Sequence, residues 1–218
     1  MADIKRVTFY IDGFNFYFGL KRSKKNDPEW KKFYWIDIVK LFNSFLGENQ
    51  VLEKVIYFTA APLSPKKNSR QSAFLNANKL INGDKFEIVR GKYMEKPFSC
   101  PYCNANITRP EEKKTDVNIS IRMIDDCVMN NTDIAVLVSA DSDLVPPMEL
   151  IQKRFPKVGI KVYFPPSNYS NDLKDNIIHH RSKPVLLIKN KRRFQNAIMP
   201  DTVSMNGKTY TIPAKWKV

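Results

Sequence analysis

The sequence contains few cysteines and no long hydrophobic run, and these absences bear on its cellular compartment and on its relation to membranes. Three cysteines among 218 residues are an odd number and too few for a disulfide framework, which favours a reducing compartment. No apolar stretch approaches the roughly 20 residues that a membrane-spanning helix needs, and the first residues contain no signal-peptide core. We therefore expect a soluble, cytoplasmic protein that has no membrane partner.

Negative charge is also scarce relative to positive charge. The chain has 36 Lys and Arg residues against 22 Asp and Glu residues, which gives a formal net charge of +14. Residues 181–218 alone carry nine Lys or Arg residues and a single acid, Asp201. An excess of this size favours polyanions as partners, and nucleic acid is the first of these to consider.

Hydrophobic residues make up 43% of the chain, which is enough for a core, and they occur in short runs. Runs rich in β-branched or aromatic residues are typical of strands buried on both faces of a parallel sheet. Between them lie segments with helical spacing, such as Ile36 to Phe45, or Val117, Ile121, Ile124 and Val128. This alternation predicts a three-layer α/β fold with a mainly parallel central sheet. The predicted strands are 7–11, 55–59, 86–89, 134–138, 158–164 and 185–188.

Two stretches interrupt this alternation. The segment from Lys92 to Thr115 is polar and contains proline, so we predict a functional loop or small insertion rather than a strand or helix. Near the C-terminal end, Asn206-Gly207 tolerates the positive φ angles of a type I′ turn, which predicts a β-hairpin. We divide the chain into a domain over residues 1–190, with a Cys-containing insertion at about 92–115, and a basic extension over residues 191–218.

Acidic side chains follow the predicted strands where the strands end. Asp12 follows the first run, Asp141 and Asp143 follow the run 134–138, and Asp116 opens a helix for which Thr115 is the predicted N-cap. Because ligands of open α/β sheets bind outside the carboxyl ends of the strands, we expect these four carboxylates to share one edge. Oxygen ligands suit Mg²⁺ or Mn²⁺, and two such ions about 3.5–4 Å apart can catalyse phosphodiester cleavage.

Each acid also has a plainer interpretation. An Asp at the end of a strand often closes a turn or caps a helix, and this holds for Asp12 taken alone. The pair Asp141 and Asp143 is more specific, because neighbouring carboxylates repel unless a cation lies between them. Asp125 and Asp126 lie in the middle of a predicted helix, and we interpret them as part of its solvated face.

Three sequence blocks contain these acids: Tyr10-Ile11-Asp12-Gly13-Phe14-Asn15, Lys114-Thr115-Asp116-Val117 and Val138-Ser139-Ala140-Asp141-Ser142-Asp143-Leu144. They resemble the blocks of NYN domains, which are PIN-like nucleases, and the match is closest to the LabA/DUF88 branch. Their order and spacing agree over roughly residues 5–190. The resemblance implies a Rossmann-like PIN fold and metal-dependent cleavage of RNA, with Asp12, Asp116, Asp141 and Asp143 as metal-site acids and Asn15 as a polar partner that orients Asp12 or the substrate. Ala140 stands where the family usually has Gly.

Cys100 and Cys103 have the spacing of a zinc knuckle, and some members of the resembled family carry such a pair in this insertion. A closed structural zinc site needs four ligands. The chain offers only Cys127, in a predicted helix, and the pair His179-His180 as further candidates. We therefore expect no structural zinc and a bare turn at the two cysteines.

Basic residues cluster beside the predicted acidic edge. Lys66, Lys67 and Arg70 open a predicted helix after the second strand, and Arg109, Lys113 and Lys114 flank Asp116. Such clusters are usually solvated, but next to carboxylates they are well placed for backbone phosphates. Unpaired bases would stack on aromatic residues such as Tyr17, Phe18, Tyr93, Phe98 and Tyr102. Further predicted RNA contacts lie in the tail, at Lys191, Arg192 and Arg193.

These observations lead to one main hypothesis and one rival. The main hypothesis is a Mg²⁺- or Mn²⁺-dependent ribonuclease that cuts single-stranded RNA endonucleolytically, with Lys114 or Lys67 holding the scissile phosphate. The rival is a non-catalytic RNA-binding or scaffold protein that keeps the fold. Retention of four acids favours the enzyme, because a pure binder gains nothing from negative charge that faces phosphates. The sequence leaves open whether the chain forms a homodimer.

Overall fold

Strands and helices alternate along the chain in the computed structural model, which describes residues 3–99, 101–103, 105–179 and 183–218. The strands are β1 (Lys5–Asp12), β2 (Gln50–Thr59), β3 (Phe86–Arg90), β4 (Lys92–Ser99), β5 (Asn106–Lys113), β6 (Ile134–Val138), β7 (Gly159–Phe164), β8 (Val185–Leu186), β9 (Thr202–Met205) and β10 (Lys208–Thr211). The α-helices are α1 (Gly13–Asn26), α2 (Ile38–Asn43), α3 (Pro65–Asn82), α4 (Thr115–Val128), α5 (Val145–Arg154), α6 (Asn171–His179) and α7 (Lys191–Asn196).

One parallel sheet of six strands forms the centre of the fold, in the order β3-β2-β1-β6-β7-β8. Each predicted run contributes one of these strands, so the predicted parallel α/β sheet is confirmed. The last strand is short, because the chain enters a 3-10 turn after Leu186. Since all six strands run the same way, their carboxyl ends lie at one edge of the sheet.

Two hydrophobic cores on opposite sides of the sheet give the fold its three layers. Alternate residues of a strand point to opposite faces, which places Phe9 on one side and Tyr10 on the other. Phe9 packs with residues of α1, α2, α3 and α7, whereas Tyr10 packs with residues of α4, α5 and α6. This layering confirms the three-layer arrangement predicted from the sequence.

The buried face of α4 differs from the one with the predicted apolar spacing. The helix itself is confirmed, but Val117 and Ile121 are 59% and 61% exposed, whereas Ile119 and Met123 are fully buried. The helix carries two apolar stripes, and its packing against β1 and β2 determines which stripe enters the core. Sequence spacing alone does not choose between two such stripes.

Asp126 lies on the buried face of α4, so its interpretation as part of a solvated face is wrong. The Tyr10 hydroxyl and Arg122 Nε each donate to Asp126 Oδ2 at 2.9 Å. Because Arg122 compensates the charge, the carboxylate can be buried. Burial, followed by the charge of Asp126, raises the pKa of the Tyr10 hydroxyl, which therefore stays protonated as the donor. Asp125 is exposed, as expected.

The segment from Lys92 to Thr115 is mainly a β-ribbon, so the prediction of an irregular loop is wrong. β4 and β5 pair antiparallel along their whole length. The prolines Pro97 and Pro110 lie in the same alternate set of pairs. In one such set the backbone N–H groups point away from the partner strand, so proline there removes no hydrogen bond from the ladder. A polar, Pro-containing sequence can thus form a strand pair.

The cysteines give no test of the zinc prediction. Cys103 is exposed at the end of the ribbon, and Cys127 is buried in α4. Burial raises the pKa of the Cys127 thiol to about 11, so this cysteine stays protonated. Cys100 and His180 lie outside the described residues, and the absence of structural zinc stays a prediction.

The predicted C-terminal hairpin is confirmed as β9 and β10, which are joined by Asn206 and Gly207 at φ angles of 51° and 73°. The hairpin packs against α3. Residues of the C-terminal extension, including Phe194 and Trp216, are buried in the same core as residues of α1. Within the described ranges, no helix is long and apolar enough to cross a bilayer.

Candidate active site

Asp12 and Ser139 meet at the carboxyl edge of the sheet because β1 and β6 are neighbours. Ile11 of β1 pairs with Val138 of β6, and Asp12 and Ser139 are the residues that follow these two in the chain. The Ser139 hydroxyl donates to Asp12 Oδ2 at 2.8 Å. Two segments distant in sequence are thus joined by one buried hydrogen bond.

Asp12 combines a structural role with a position in the acidic site. It is the N-cap of α1, since its Oδ1 accepts from the Asn15 N–H at 2.9 Å, and its Oδ2 also accepts from Asn15 Nδ2 at 2.6 Å. The capping interpretation is therefore confirmed. Only 2% of Asp12 is exposed, and this burial raises the pKa of its carboxyl, with a further contribution from the charge of Asp141. Hydrogen bonds from Asn15 and Ser139 oppose that increase.

Gly13 lets α1 start directly against β2. A Cβ atom at this position would lie 2.4 Å from Tyr57 Cε1 and 2.6 Å from the Phe58 carbonyl oxygen. The Tyr57 hydroxyl donates to the Gly13 carbonyl oxygen at 3.3 Å. Glycine is therefore required by close packing, and this packing fixes the position of Asp12.

Asp141 and Asp143 follow β6 in a tight turn. The turn is a 3-10 segment, Ser142–Leu144, and Asp141 caps it by accepting from the Asp143 N–H at Oδ1 with a distance of 3.0 Å. Ser139 Oγ accepts from the Asp141 N–H at 3.1 Å. One hydroxyl group therefore holds both Asp12 and the backbone of Asp141. Asp143 is exposed and Asp141 partly so.

Asp116 brings the third segment to this edge. Burial raises the pKa of its carboxyl to about 6, and the charges of Asp141, Asp12 and Asp143 contribute in that order. The four predicted acids therefore lie within electrostatic range of one another. The predicted cap is wrong, because Thr115 is the first residue of α4 and Lys114, at φ 75°, occupies the N-cap position. A left-handed conformation is unusual for lysine and marks a strained entry into the helix.

Asn168 is a site residue that the sequence analysis missed. Its Nδ2 donates to the Asn15 carbonyl oxygen at 2.8 Å and to Asn15 Oδ1 at 3.0 Å. Asn168 follows β7, and Ser167 before it has a φ of 56°. Its position after a strand, at the same edge of the sheet as the acids, could have identified it from the sequence. Asn168 orients Asn15, which in turn orients Asp12.

The arrangement of the acids suits a divalent cation that keeps some of its water ligands better than one that is held by protein ligands alone. Within the described parts of the chain, no group of three or more His, Cys, Asp or Glu side chains is assembled so that it could hold a metal ion by itself. Mg²⁺, however, keeps several waters and takes only one or two carboxylates together with substrate phosphates. Among the residues described, no Lys or Arg forms an ion pair with Asp12, Asp116, Asp141 or Asp143. Oxygen donors whose charge is uncompensated match what a hard cation requires.

Some of the predicted basic residues lie at the acidic edge and others do not. Lys66, Lys67 and Arg70 lie in the first turns of α3, which follows the carboxyl end of β2. Lys113 and Lys114 are exposed beside Asp116. For Arg109 the structure describes the backbone in β5 and not the side chain.

The basic residues of the tail are not brought to the acids. Lys191 Nζ pairs with Asp27 Oδ2 and Glu29 Oε2, each at 2.6 Å, beyond the C-terminal end of α1. A helix of 14 residues is about 21 Å long, and Asp12 lies at its other end. Arg193 donates to the Ser44 carbonyl oxygen and lies over the Phe45 ring, and Arg192 is exposed on the same short helix. That these residues contact RNA stays a prediction.

A cavity of about 780 Å³ opens beside the acidic edge. Gly13 and Phe14, which directly follow Asp12, line it, and so do Lys67 and Arg70 of α3. Its walls include the predicted stacking residues Tyr17, Phe18 and Tyr93. Tyr102 lies elsewhere, at the tip of the β-ribbon, where it is almost fully exposed.

Comparisons with known proteins agree with this architecture. A model of the NYN domain family matches residues 6–180. The 6-hydroxy-3-succinoylpyridine 3-monooxygenase of Pseudomonas putida is 25% identical over 206 residues, and the match covers 79% of this chain but 64% of that relative, less than two thirds of its length. A solved Vibrio parahaemolyticus protein of unknown function shares the fold, with a TM-score of 0.53, 19% identity and coverage of 81% of this chain and 91% of its own. Since the family model covers most of the sequence and includes all four acids, this chain belongs to the NYN domain family.

Proposed function

We propose that the protein is a divalent-metal-dependent endoribonuclease that cuts single-stranded RNA at the acidic edge of the sheet. NYN domains are generally nucleases within the PIN-like superfamily, which supports hydrolysis of phosphodiesters at a coarse level. The observation that carries the proposal is the convergence of four carboxylates from three segments, whose mutual repulsion helps to raise the pKa of Asp116 to about 6. A cation bound between neighbouring carboxylates relieves such repulsion.

Asp12, Asp116, Asp141 and Asp143 would bind Mg²⁺ or Mn²⁺ together with water molecules and substrate phosphates, with one or two carboxylates contacting each ion directly. When bound, such an ion polarises a phosphate oxygen and lowers the pKa of a water molecule, so that hydrolysis proceeds near neutral pH. Ser139 and Asn15 keep the Asp12 carboxylate in one orientation. Lys67, at the start of α3, and Lys114, next to Asp116, supply positive charge for the non-bridging oxygens of the scissile phosphate.

A cleavage assay tests the proposal. The purified protein is incubated with single-stranded RNA and DNA of the same sequence, labelled at either end, with Mg²⁺, Mn²⁺ or EDTA. We expect internal cuts in the RNA with either metal and none in EDTA. Cleavage that persists in EDTA contradicts the metal-dependent mechanism, and products that shorten only from one end contradict endonucleolytic action.

The rival function is RNA binding without catalysis. It predicts a mobility shift of the RNA but no cleavage with any divalent metal. The four uncompensated acids count against it, because each weakens the binding of phosphates unless a cation is present. Binding that is unchanged by metal, without any cleavage, would establish the rival.

A second candidate function comes from the name of the Pseudomonas relative, which describes oxidation of a small pyridine compound. The aromatic cavity beside Asp12 favours it, because a volume of about 780 Å³ suits a small molecule. Uptake of oxygen with a hydroxylated pyridine and a two-electron reductant, without cleavage of RNA, would establish this function in place of the nuclease.

A further inference from the structure

The cavity beside the acids combines an aromatic wall with an excess of positive charge. It is formed by α1, by the segment Pro28–Tyr34 after it, by the start of α3, and by Lys215 and Trp216 near the C-terminal end. It begins at Gly13 and Phe14, the two residues after Asp12. None of the four acids is among the described residues that line the cavity, which adjoins the acidic edge through Gly13, the residue that follows Asp12.

Aromatic rings line the cavity continuously. The ring of Tyr17 lies 5.6 Å from that of Tyr34 and 6.4 Å from that of Trp216, measured between centroids. At the rim, Phe14 lies 5.6 Å from both Phe18 and Tyr93. Phe18 is 39% exposed. Phe14, Tyr17 and Tyr93 are partly exposed, whereas Tyr34 and Trp216 are buried behind them. Partly exposed rings that gather around a concave surface favour a binding site.

Positive charge in the cavity exceeds negative charge by a wide margin. The lining contains seven Lys or Arg residues and one acid, Glu95. Within the described residues, Lys21, Lys24, Lys25, Lys67, Arg70 and Lys215 have no ion pair with a carboxylate. An excess of positive charge around a cavity attracts anionic ligands. The complementary ligand therefore has several negative charges as well as an aromatic group.

We infer that the cavity is a nucleotide subsite, in which a base stacks on the rings near Phe18 and Tyr17 while Lys67 and Arg70 hold the phosphate. This rests on the proposed function, because it places the nucleotide next to the bond that is cut. Base–aromatic stacking is sequence-tolerant, so the subsite selects unpaired bases rather than a particular sequence. A base in a duplex is already stacked and paired, and it does not enter the cavity without being extruded.

The test measures binding without cleavage, so that it does not depend on catalysis. Affinities in EDTA are measured for single-stranded RNA oligomers that differ only in the position of one abasic nucleotide, and for the matching duplex. We expect one abasic position to weaken binding about tenfold, because stacking contributes about 1–3 kcal/mol per base. We also expect the duplex to bind more weakly than the single strand.

Variants assign the effect to the cavity. Phe18→Ala should abolish the difference between the intact and abasic oligomers, and Arg70→Ala should weaken both. Lys153→Ala is the charge-matched control, because Lys153 is exposed in the last turn of α5 and is outside the cavity. If Phe18→Ala and Arg70→Ala bind every oligomer as the control does, the inference is overturned.

A competition experiment distinguishes a strand from a free nucleotide. Adenosine monophosphate is titrated against a bound oligomer, and the fluorescence of Trp216 is followed with Trp216→Phe as the reference. If adenosine monophosphate competes only at concentrations far above that of the oligomer, the result supports a subsite for an RNA strand. Equal affinities of the nucleotide and the oligomer would instead support a site for free nucleotides. A hydroxylated pyridine that competes better than the nucleotide overturns the inference. If the wild-type protein does not cleave RNA but still binds the intact oligomer more tightly than the abasic one, the nuclease is refuted and the subsite remains.

Discussion

The hydroxyl group of Ser139 donates a hydrogen bond to Asp12 Oδ2 at 2.8 Å, inside the protein and across two neighbouring strands. Ser139 Oγ also accepts a hydrogen bond from the backbone N–H of Asp141 at 3.1 Å. Ser139 therefore connects an acid from the first strand to an acid from the second half of the chain. In the proposed enzyme it is a positioning residue, since it acts through the two carboxylates.

Ser139→Ala should lower the rate of metal-dependent cleavage by about 10–100-fold, as is typical when a hydrogen-bond partner of a metal ligand is removed. The hydrogen bond from Ser139 lowers the pKa of Asp12. Its loss should therefore raise that pKa and shift the acidic limb of the pH–rate profile to higher pH. Ser142→Ala, in the same turn and exposed, is the control. A profile that moves to lower pH would contradict this account.

Asn168→Ala should lower kcat about tenfold and leave RNA affinity in EDTA unchanged, since Asn168 touches Asn15 and none of the four acids. Single-turnover cleavage and equilibrium binding separate the two effects. If affinity and cleavage fall together with the melting temperature, Asn168 is a structural residue only.

Gly13→Ala should destabilise the fold by about 1–3 kcal/mol, because the added methyl group would overlap Tyr57 and the Phe58 carbonyl oxygen. Gly47→Ala is the matched control, because a Cβ atom there would meet nothing closer than 3.8 Å. Urea denaturation measures both free energies of unfolding. Equal stability of the two variants would show that α1 does not require the close approach to β2.

Asp116→Asn should stabilise the metal-free protein at pH 7.5, on the order of 1 kcal/mol after allowance for solvent screening. The pKa of Asp116 is raised from 3.8 to about 6. Because the folded state binds this proton more tightly, the contribution of the group to stability is present below pH 4 and is lost as the pH rises through about 6. Variant and wild type should therefore have similar melting temperatures below about pH 4, diverge as the pH rises from about 4 to 6, and differ by a constant amount above that. A variant that is less stable at pH 7.5 would contradict the repulsion among the acids.

The sequence predicts the parts of the fold that depend on local pattern. The buried run at residues 134–138 predicts β6, and Asn206-Gly207 predicts the turn of the hairpin, because the required backbone conformation depends on these residues alone. The position of Asp12 at the end of the first apolar run predicts its location at the sheet edge, since all parallel strands end there.

Other features depend on contacts between distant segments, which no local pattern contains. Asn168 reaches Asn15 only because the loop after β7 packs against α1, where a Cβ on Gly19 would lie 2.4 Å from the Pro166 carbonyl oxygen. Lys191 lies in the basic tail and was therefore a candidate RNA contact, but it forms ion pairs with Asp27 and Glu29 at the far end of α1. Charge counts predict the net field of the protein and not which cations are already paired.

Calorimetric titration of Mn²⁺ into wild type and Asp141→Asn tests whether Asp141 contributes to a catalytic metal site. Asparagine keeps the side-chain oxygen that caps the Ser142–Leu144 turn, so the fold is expected to persist while one negative charge is lost. We expect the variant to bind Mn²⁺ more weakly and to lose cleavage by orders of magnitude. Its RNA affinity in EDTA should be equal or higher, because a repulsive charge has left the phosphate path. Mn²⁺ affinity and cleavage equal to those of wild type in Asp141→Asn would contradict this role of Asp141.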